Sequence, residues 1–359
     1  MVIREEMELL FKKDISKLTD ENVWIWGAGN TTQLYQEGLD RLKEGELNIQ
    51  GYIDQNAGKM NYEFRGKKVI EPAQIEDGAD ICVLICTIRT ETIKSIRELC
   101  KIKKLKNYLL DEVILTWHKD EVMRCFDSLC DERSKSVYYE LTKARIKGDK
   151  LSDFVNEGNQ YFCVEPFGMQ RADEVFVDCG AYVGDTVCEY LRAKKGVFKK
   201  IIAFEPDKYN FEKLEKTVEN QCKEWNMSKD KFEVYPYAIG EKSINAKFEH
   251  YENNSGISSK VVEHDSSKGD DCKVISIDEF LTEPYSFLKA DIESFEYKML
   301  LGAKESIKEN KPLLAICIYH NVVDFYSIPL LIKEILPEYK LAVRHHREDT
   351  SETIAYAWV

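Results

Sequence analysis

The chain has 359 residues, 43% of them hydrophobic and 32% charged, which is typical of a protein with buried cores and room for two domains. Asp and Glu total 64 against 51 Lys and Arg, and the formal net charge of −13 argues against nucleic acid and anionic membranes as partners. No apolar run approaches the roughly 18 residues that a membrane-spanning helix needs. The first residues also lack a secretion signal, so we expect a cytoplasmic protein.

Strand and helix patterns alternate through residues 1–110. The predicted elements are strands at Val23–Trp26, Ile49–Asp54, Lys67–Ile70 and Ile81–Cys86, and helices at Thr31–Leu42 and Thr90–Lys101. Such alternation predicts a parallel sheet with helices on both faces. We therefore assign residues 1–110 to an N-terminal Rossmann-like domain. Residues 111–160 contain helical patterns at Asp120–Cys130 and Arg133–Ile146 without a strand pattern, and we interpret them as a helical connector.

The alternation resumes in residues 161–359, the second predicted domain. Its predicted strands are Val175–Val177, Ile201–Phe204, Phe232–Tyr235, Phe287–Ala290 and Leu313–Ile318, with Leu341–Val343 and Thr353–Ala357 as a closing hairpin. Helices are predicted at Gly184–Ala193 and Tyr209–Cys222, and further extended pieces at Ala246–Phe248 and Lys273–Ile275. Tyr237–Gly240, after the third strand, is interpreted as a small apolar loop suited to the face of an adenine. The predicted fold class is therefore α/β, with two Rossmann-like parallel-sheet domains joined by a helical segment. The second domain is predicted to be a seven-stranded sheet with a C-terminal β-hairpin, which is the strand order common among methyltransferases.

The stretch from Glu174 to Thr186 carries the strongest chemical signal. An apolar run ends in Asp178, a glycine-containing loop follows, and Asp185 opens the predicted helix. A glycine loop between a strand and a helix normally binds a diphosphate. Two carboxylates beside the loop would repel a diphosphate and attract a cation. The common cofactor that carries an ammonium and a sulfonium is S-adenosylmethionine, so we predict it as the cofactor of a methyltransferase.

Ligands of an open α/β sheet bind beyond the carboxyl ends of its strands. Glu205 lies 25 residues after Gly180, close to the spacing at which an acid binds a ribose diol. The predicted cofactor-binding residues are Asp178, Gly180, Tyr182, Gly184, Asp185, Thr186, Glu205, Pro206, Ala238, Ile239 and Asp291. Helix capping is the alternative role for Asp185, Asp291 and Glu293, and a core position is the alternative for His320.

Several motifs in residues 160–359 together resemble the FkbM family of S-adenosylmethionine-dependent methyltransferases. They are the run from Glu174 to Thr186, Phe204–Pro206, Ala238–Gly240, Ser276–Phe280, Leu288–Glu296 and Leu301–Ala303. Two residues depart from the family pattern: Val183 replaces a polar loop residue, and Ser294 replaces the glycine that usually follows Asp-Ile-Glu. The resemblance implies methyl transfer to a hydroxyl of a sugar, glycan or polyketide-like acceptor.

An alcohol acceptor needs a base, because it is a poor nucleophile while it keeps its proton. His320 is the first candidate, since its ordinary pKa lies near neutrality, and Asp291 and Glu293 complete the predicted catalytic set. A divalent metal held by these three residues is a less favoured alternative, and we expect no resident metal. The 11 cysteines contain no C-x-x-C pair, so we expect neither a zinc site nor a disulfide framework.

The loop after the first N-terminal strand has no acid, so it could accept a phosphate. Gly27 and Gly29 form this loop, and Asp54 lies 25 residues after Gly29, where a ribose partner would lie. The stretch resembles the small N-terminal domains of bacterial sugar acyltransferases, which implies a bound nucleotide or nucleotide sugar. A degenerate domain kept for packing or dimerisation is the alternative.

Two further functions are open at this point: a dinucleotide-dependent oxidoreductase that uses the N-terminal domain, and a non-catalytic protein that binds a nucleotide sugar. Binding of S-adenosylmethionine would distinguish the methyltransferase from both. The sequence does not identify the acceptor or the oligomeric state, so a homo-oligomer is also open.

Overall fold

A computed structural model describes residues 2–29, 32, 35, 47–151, 158–250, 259–262 and 270–359. It divides the chain into two compact units. The first contains residues 1–155 with the segments Tyr319–Tyr326 and His345–Glu352, and the second contains residues 156–318, 327–344 and 353–359. Within the described part of the chain, no helix has the length and apolar character required to cross a membrane.

The first unit is built on a six-stranded sheet. Its strands are β1 (Val23–Trp26), β2 (Ile49–Ile53), β3 (Glu63–Phe64), β4 (Lys67–Ile70), β5 (Cys82–Ile85) and β6 (Lys106–Leu109), in the spatial order β3-β4-β2-β1-β5-β6. All neighbours pair in parallel except β3 with β4. The strand order reverses between β1 and β5, and this is the position where Rossmann-like sheets bind ligands.

The helices of this unit have apolar residues at helical spacing, as the helix at Thr90–Ile102 illustrates. They are α1 (Val2–Leu9), α2 (Thr90–Ile102), α3 (Leu110–Trp117), α4 (Lys119–Ser128) and α5 (Glu132–Lys147), with short 3-10 turns at Leu18–Asp20, Ala57–Met60 and Pro72–Gln74. In α2 the buried residues Ile93, Ile96 and Cys100 recur every three or four positions, so one face packs on the sheet. Most of the helix predicted at Thr31–Leu42 lies outside the described residues.

The second unit contains a seven-stranded sheet, as predicted. Its strands are β7 (Val175–Cys179), β8 (Lys200–Phe204), β9 (Phe232–Tyr235), β14 (Phe287–Ala290), β15 (Leu313–Cys317), β16 (Lys340–His345) and β17 (Thr353–Trp358). The spatial order is β16-β17-β15-β14-β7-β8-β9, and β17 runs antiparallel to β15. The order reverses between β7 and β14, so the loops after these strands define the ligand edge.

A second, four-stranded sheet in this unit was only partly predicted. It consists of β10 (Tyr237–Ile239), β11 (Ile244–His250), β12 (Ser259–Val262) and β13 (Asp270–Ile275), in the order β10-β13-β11-β12. The sequence predicted a loop at Ala238 and Ile239, whereas both residues lie in β10, which pairs in parallel with β13. The loop prediction was wrong because three residues carry too little periodicity to reveal a strand.

The second unit also contains helices, the last of which begins within the segment Tyr319–Tyr326 of the first unit. They are α6 (Glu165–Gly168), α7 (Asp185–Lys194), α8 (Lys208–Glu224), α9 (Ile277–Phe280), α10 (Glu296–Gly302), α11 (Lys304–Asn310) and α12 (Asp324–Ile335), with a 3-10 turn at Lys229–Lys231. The core beneath the ligand edge is aromatic. Phe176 of β7 stacks on Tyr190 of α7, with ring centroids 4.4 Å apart, and α7 thereby anchors to the strand that carries the glycine loop.

Candidate functional site

The glycine loop after β7 packs directly against the loop after β14. Gly180 has φ +83° and lies so close to Asp291 that a Cβ atom would collide with the Asp291 carbonyl oxygen. The amides of Gly180 and Ala181 both donate to the carbonyl oxygen of Phe204 at the end of β8, at 3.0 and 2.9 Å. Only glycine satisfies both the backbone angle and the contact. The ends of three neighbouring strands are therefore joined at one edge of the sheet.

Glu205 connects the glycine loop to the turn after β8. Its Oε2 accepts the amide hydrogen of Tyr182 at 2.9 Å, and its Oε1 accepts that of Asp207, also at 2.9 Å. Burial raises the pKa of Glu205 to about 7, against the opposing effect of the two amide donors. Each carboxylate oxygen keeps a second lone pair, so this buried acid can still accept hydrogen bonds from a ligand diol.

The structure corrects the electrostatic argument made for Asp178. Its side chain is fully buried, and Oδ1 lies 2.9 Å from the ammonium Nζ of Lys289 on β14. Lys289 also donates to the carbonyl oxygen of Gly180 at 2.8 Å. Burial disfavours the charged amine, but the carboxylates of Asp178 and Asp291 outweigh it and raise the pKa of Lys289. Asp178 is thus a neutralised anchor beneath the glycine loop and not an open negative charge beside it.

Lys289 lies in the FkbM-like motif Leu288–Glu296, but the sequence patterns predicted no role for it. The available signal was a lysine inside the otherwise apolar strand Phe287–Ala290, since a buried lysine is rare unless it is paired. Its partner Asp178 lies on the neighbouring strand, opposite Lys289 in the β7–β14 register.

Helix α7 begins directly after the glycine loop. Gly184 precedes it with φ +88°, and no side chain among the described residues caps this helix end. Asp185 is the first helical residue, so the capping role considered for it is not what the structure shows. Thr186 is buried in the same turn. An N-terminal turn without a side-chain cap presents backbone amides that favour an anionic group.

The loop after β14 carries two further predicted residues. Asp291 Oδ2 accepts a hydrogen bond from the Tyr161 hydroxyl at 2.9 Å. Glu293 is half-buried and has φ 52°, and Ser294 follows with φ 74°. Two consecutive non-glycine residues in the left-handed region are uncommon. The departure noted at Ser294 thus falls at a backbone position that favours glycine.

His320 follows β15 in the chain and lies in the segment Tyr319–Tyr326, which belongs to the first compact unit. Its side chain is almost fully buried, and its ring packs against Tyr319 with centroids 4.1 Å apart. Asp291 and Glu293 belong to the second unit. The same segment is anchored within the first unit by Phe325, which stacks on Tyr138 of α5 at 4.2 Å.

Other residues of the predicted motifs have structural roles. Asp278 accepts the amides of Glu305 and Ser306 at 2.9 Å each, which fixes the start of α11. Ser276 donates its hydroxyl to the carbonyl oxygen of Gly302 at 2.8 Å. Ala238 and Ile239 are buried, and Pro206 lies in the turn after β8 between Glu205 and Asp207.

The N-terminal loop repeats the arrangement found around Glu205. Asp54, at the end of β2, accepts the amide of Ala28 through Oδ2 at 3.0 Å and that of Asn56 through Oδ1 at 2.8 Å. Gly27 has φ +119°, and a Cβ there would contact the carbonyl oxygen of Cys86. Space is open around the position of a Cβ at Gly29. Within the described residues, the structure thus brings together Gly27, Gly29 and Asp54.

Comparison with known proteins agrees with this geometry. Residues 178–339 match the model described as the methyltransferase FkbM domain, and residues 19–108 match a model described as C2185-like, N-terminal. The predicted likeness of the N-terminal domain to sugar acyltransferases is not confirmed by that second match and stays a prediction. No curated protein matches the chain.

A solved structure is similar over nearly the whole chain. It is a methyltransferase FkbM from Methylobacillus flagellatus, 18% identical, and the alignment covers 99% of this chain and 97% of that one with a TM-score of 0.57. An rRNA methylase from Streptococcus thermophilus (14% identical, 52% and 87% covered, TM-score 0.31) is more distant. So is a fibrillarin from Aeropyrum pernix with bound S-adenosyl-L-methionine (12% identical, 52% and 67% covered, TM-score 0.31).

Residues 178–339 are therefore similar to a methyltransferase domain of the FkbM type, as the motifs predicted, and the fold of the chain is α/β. The domain match includes all the predicted cofactor-binding and catalytic residues, from Asp178 to His320.

Proposed function

We propose that the C-terminal domain uses S-adenosylmethionine to methylate a hydroxyl of a sugar, glycan or polyketide-like acceptor. The proposal rests on the arrangement of residues at one edge of the seven-stranded sheet, where the strand order reverses between β7 and β14. There the buried acid Glu205 holds the glycine loop through Tyr182, and Gly180 packs against Asp291. The match to the FkbM domain supports the reaction class.

The residues at this edge fit the chemical groups of that cofactor. The ribose diol would donate to Glu205, whose oxygens each keep a lone pair. The amino-acid carboxylate would bind the amides at the start of α7, which has no side-chain cap among the described residues. Asp185 and Asp291 supply negative charge for the ammonium and the sulfonium. A diphosphate fits less well, because Lys289 is already engaged by Asp178 and Gly180.

The protein contributes mainly alignment to such a reaction. When bound, S-adenosylmethionine supplies an electrophilic methyl carbon on a cationic sulfur. Holding the acceptor oxygen in line with that bond can lower the barrier by up to about 7–11 kcal/mol. Gly180, Glu205 and Lys289 serve this role, since together they hold the loop that surrounds the cofactor.

The acceptor's proton needs a base. We assign this role to a ring nitrogen of His320, with Asp291 as the second candidate and Glu293 as a neighbouring acid in the same loop. A base of this kind contributes typically about 10²–10⁴-fold to the rate. His320→Ala is expected to keep cofactor binding and lose turnover, and unchanged turnover in that variant would remove His320 from the mechanism.

The test is a calorimetric titration of the full chain with S-adenosylmethionine, S-adenosylhomocysteine, NAD and UDP-sugars. Binding of the first two supports the proposal, and mass spectrometry of sugar and polyketide alcohols incubated with the protein then identifies the methylated acceptor. Binding of NAD alone would favour an oxidoreductase instead. Binding of a UDP-sugar alone, lost in Asp54→Ala, would favour a nucleotide-sugar-binding protein that uses Gly27, Gly29 and Asp54.

A further inference from the structure

Tyr161 lies outside the FkbM domain match yet contacts the ends of two central strands of that domain. Its hydroxyl donates to Asp291 Oδ2 at 2.9 Å, across 130 residues of sequence. The same oxygen lies 3.8 Å from the Sγ atom of Cys317, the last residue of β15. The residue is only 5% exposed. A segment that precedes the matched domain thus reaches the ligand edge of its sheet.

The ring of Tyr161 also contacts the buried ion pair beneath the glycine loop. The Nζ atom of Lys289 lies 5.1 Å from the ring centroid, within the range of a cation–π contact. Lys289 in turn pairs with Asp178 and donates to Gly180. One tyrosine therefore contacts a charged group of β14 and one of the loop that follows it: the ammonium of Lys289 through its ring and the carboxylate of Asp291 through its hydroxyl.

We infer that Tyr161 is a positioning residue for the cofactor, an inference that rests on the proposed function. The Tyr161 hydroxyl orients the Asp291 carboxylate toward the sulfonium of S-adenosylmethionine. A hydrogen bond donated to a carboxylate favours its charged form and restricts its rotation. The oriented charge stabilises a positive sulfur more than a neutral one. S-adenosylmethionine and S-adenosylhomocysteine differ by one methyl group and this one charge, so the ratio of their affinities reports the orientation of Asp291 without knowledge of the acceptor.

The experiment compares Tyr161→Phe with the wild-type chain by calorimetric titration of both ligands. Phenylalanine keeps the ring against Lys289 and removes only the hydroxyl. A hydrogen bond to a charged group contributes enough that we expect affinity for S-adenosylmethionine to fall about tenfold, with S-adenosylhomocysteine nearly unchanged.

Tyr190→Phe is the matched control. The Tyr190 hydroxyl donates at 2.8 Å to another buried acid, Glu174, which precedes β7 at the opposite end of the strand. Its removal is expected to lower the melting temperature and leave the ratio of the two affinities unchanged. In the Asp291→Asn background, Tyr161→Phe should add little, since residues that act as a unit are not additive.

The outcomes separate the two proposals. A wild-type chain that binds neither ligand overturns the proposed function and this inference with it. A wild-type chain that binds both, with an unchanged affinity ratio in Tyr161→Phe, overturns the inference alone. If Tyr161→Phe does not fold while Tyr190→Phe does, the hydroxyl is a structural requirement and the positioning role is likewise overturned.

Discussion

Glu205 accepts a hydrogen bond from the backbone amide of Tyr182 at 2.9 Å. A buried acid at the end of β8 thus fixes the glycine loop that follows the neighbouring strand β7. The first unit shows the same relationship between Asp54 and Ala28, at 3.0 Å. In both units the acid also accepts the amide two residues further along the chain. The spacing that predicted a ribose partner therefore also serves to shape the loop, and the two roles are compatible because a carboxylate has about four acceptor positions.

Glu205→Gln is expected to change both the pH dependence of stability and the cofactor affinity. The folded pKa of about 7 lies above the ordinary 4.5, so between these values the folded state keeps a proton that the unfolded chain has lost. The free energy of unfolding should thus fall as pH rises through this window, by about 3 kcal/mol in total. Glutamine removes this slope, which urea denaturation at pH 5 and pH 8 will measure.

The same variant should bind S-adenosylmethionine about tenfold more weakly at pH 8, because it loses a charged acceptor for the ribose diol. Glu212→Gln, at an exposed position on α8, controls for the change in net charge. Wild-type affinity in Glu205→Gln would exclude Glu205 from the ribose site.

Gly180→Ala is expected to destabilise the second unit by at least about 3 kcal/mol, because the new methyl group meets the carbonyl oxygen of Asp291. Gly196→Ala is the matched control. Gly196 has a similar φ of +71°, but the atom nearest to a Cβ there is the terminal methyl of Met227, which can move. The control should therefore lose only the roughly 1–2 kcal/mol of the left-handed backbone. Equal losses of stability in thermal denaturation would show that the contact with Asp291 is unimportant.

Lys289→Met leaves the buried carboxylate of Asp178 without its counter-ion. Breaking a buried pair in this way typically costs about 3–5 kcal/mol, and the Gly180 carbonyl also loses a donor. An unpaired buried Asp178 has a folded pKa above its unfolded value, so the variant should become more stable relative to wild type as pH falls. The double variant Asp178→Asn with Lys289→Met should recover part of the loss in urea denaturation. A single variant as stable as wild type at pH 8 would contradict the role of the pair.

Ser294→Gly is expected to stabilise the second unit by about 1 kcal/mol. Ser294 has φ 74°, where glycine carries no steric penalty, and its hydroxyl is buried without a hydrogen-bond partner among the described residues. Differential scanning calorimetry will measure the change in melting temperature. Ser286→Gly is the control, because the Ser286 hydroxyl accepts a hydrogen bond from the amide of Val175 at 3.1 Å. That substitution should lower the melting temperature. A lower melting temperature in Ser294→Gly would refute the argument.

Local patterns in the sequence predicted most of the strands that carry the site. Apolar runs bounded by glycine and acidic residues identified β7, β8, β14 and β15. Residue spacing singled out Glu205, whose contact with a ribose stays a prediction. These features depend on neighbours within a few residues, where periodicity and turn chemistry determine the structure. The short strand β10 was not predicted, because three residues carry too little periodicity to reveal a strand and its place is defined by pairing with β13. The helices after Phe280 were not predicted either.

The sequence by itself determined the α/β class, the glycine loop and the identity of the acids at the strand ends, since each of these follows from local backbone chemistry. Only the tertiary structure decided which charges are open and which are neutralised. Asp178 and Lys289 are 111 residues apart in sequence, and their ion pair exists because β7 and β14 are adjacent in the sheet. Tyr161 reaches Asp291 through the same long-range packing. Coulombic and hydrogen-bond energies depend on distance in space, and that distance is defined only once the strands have paired.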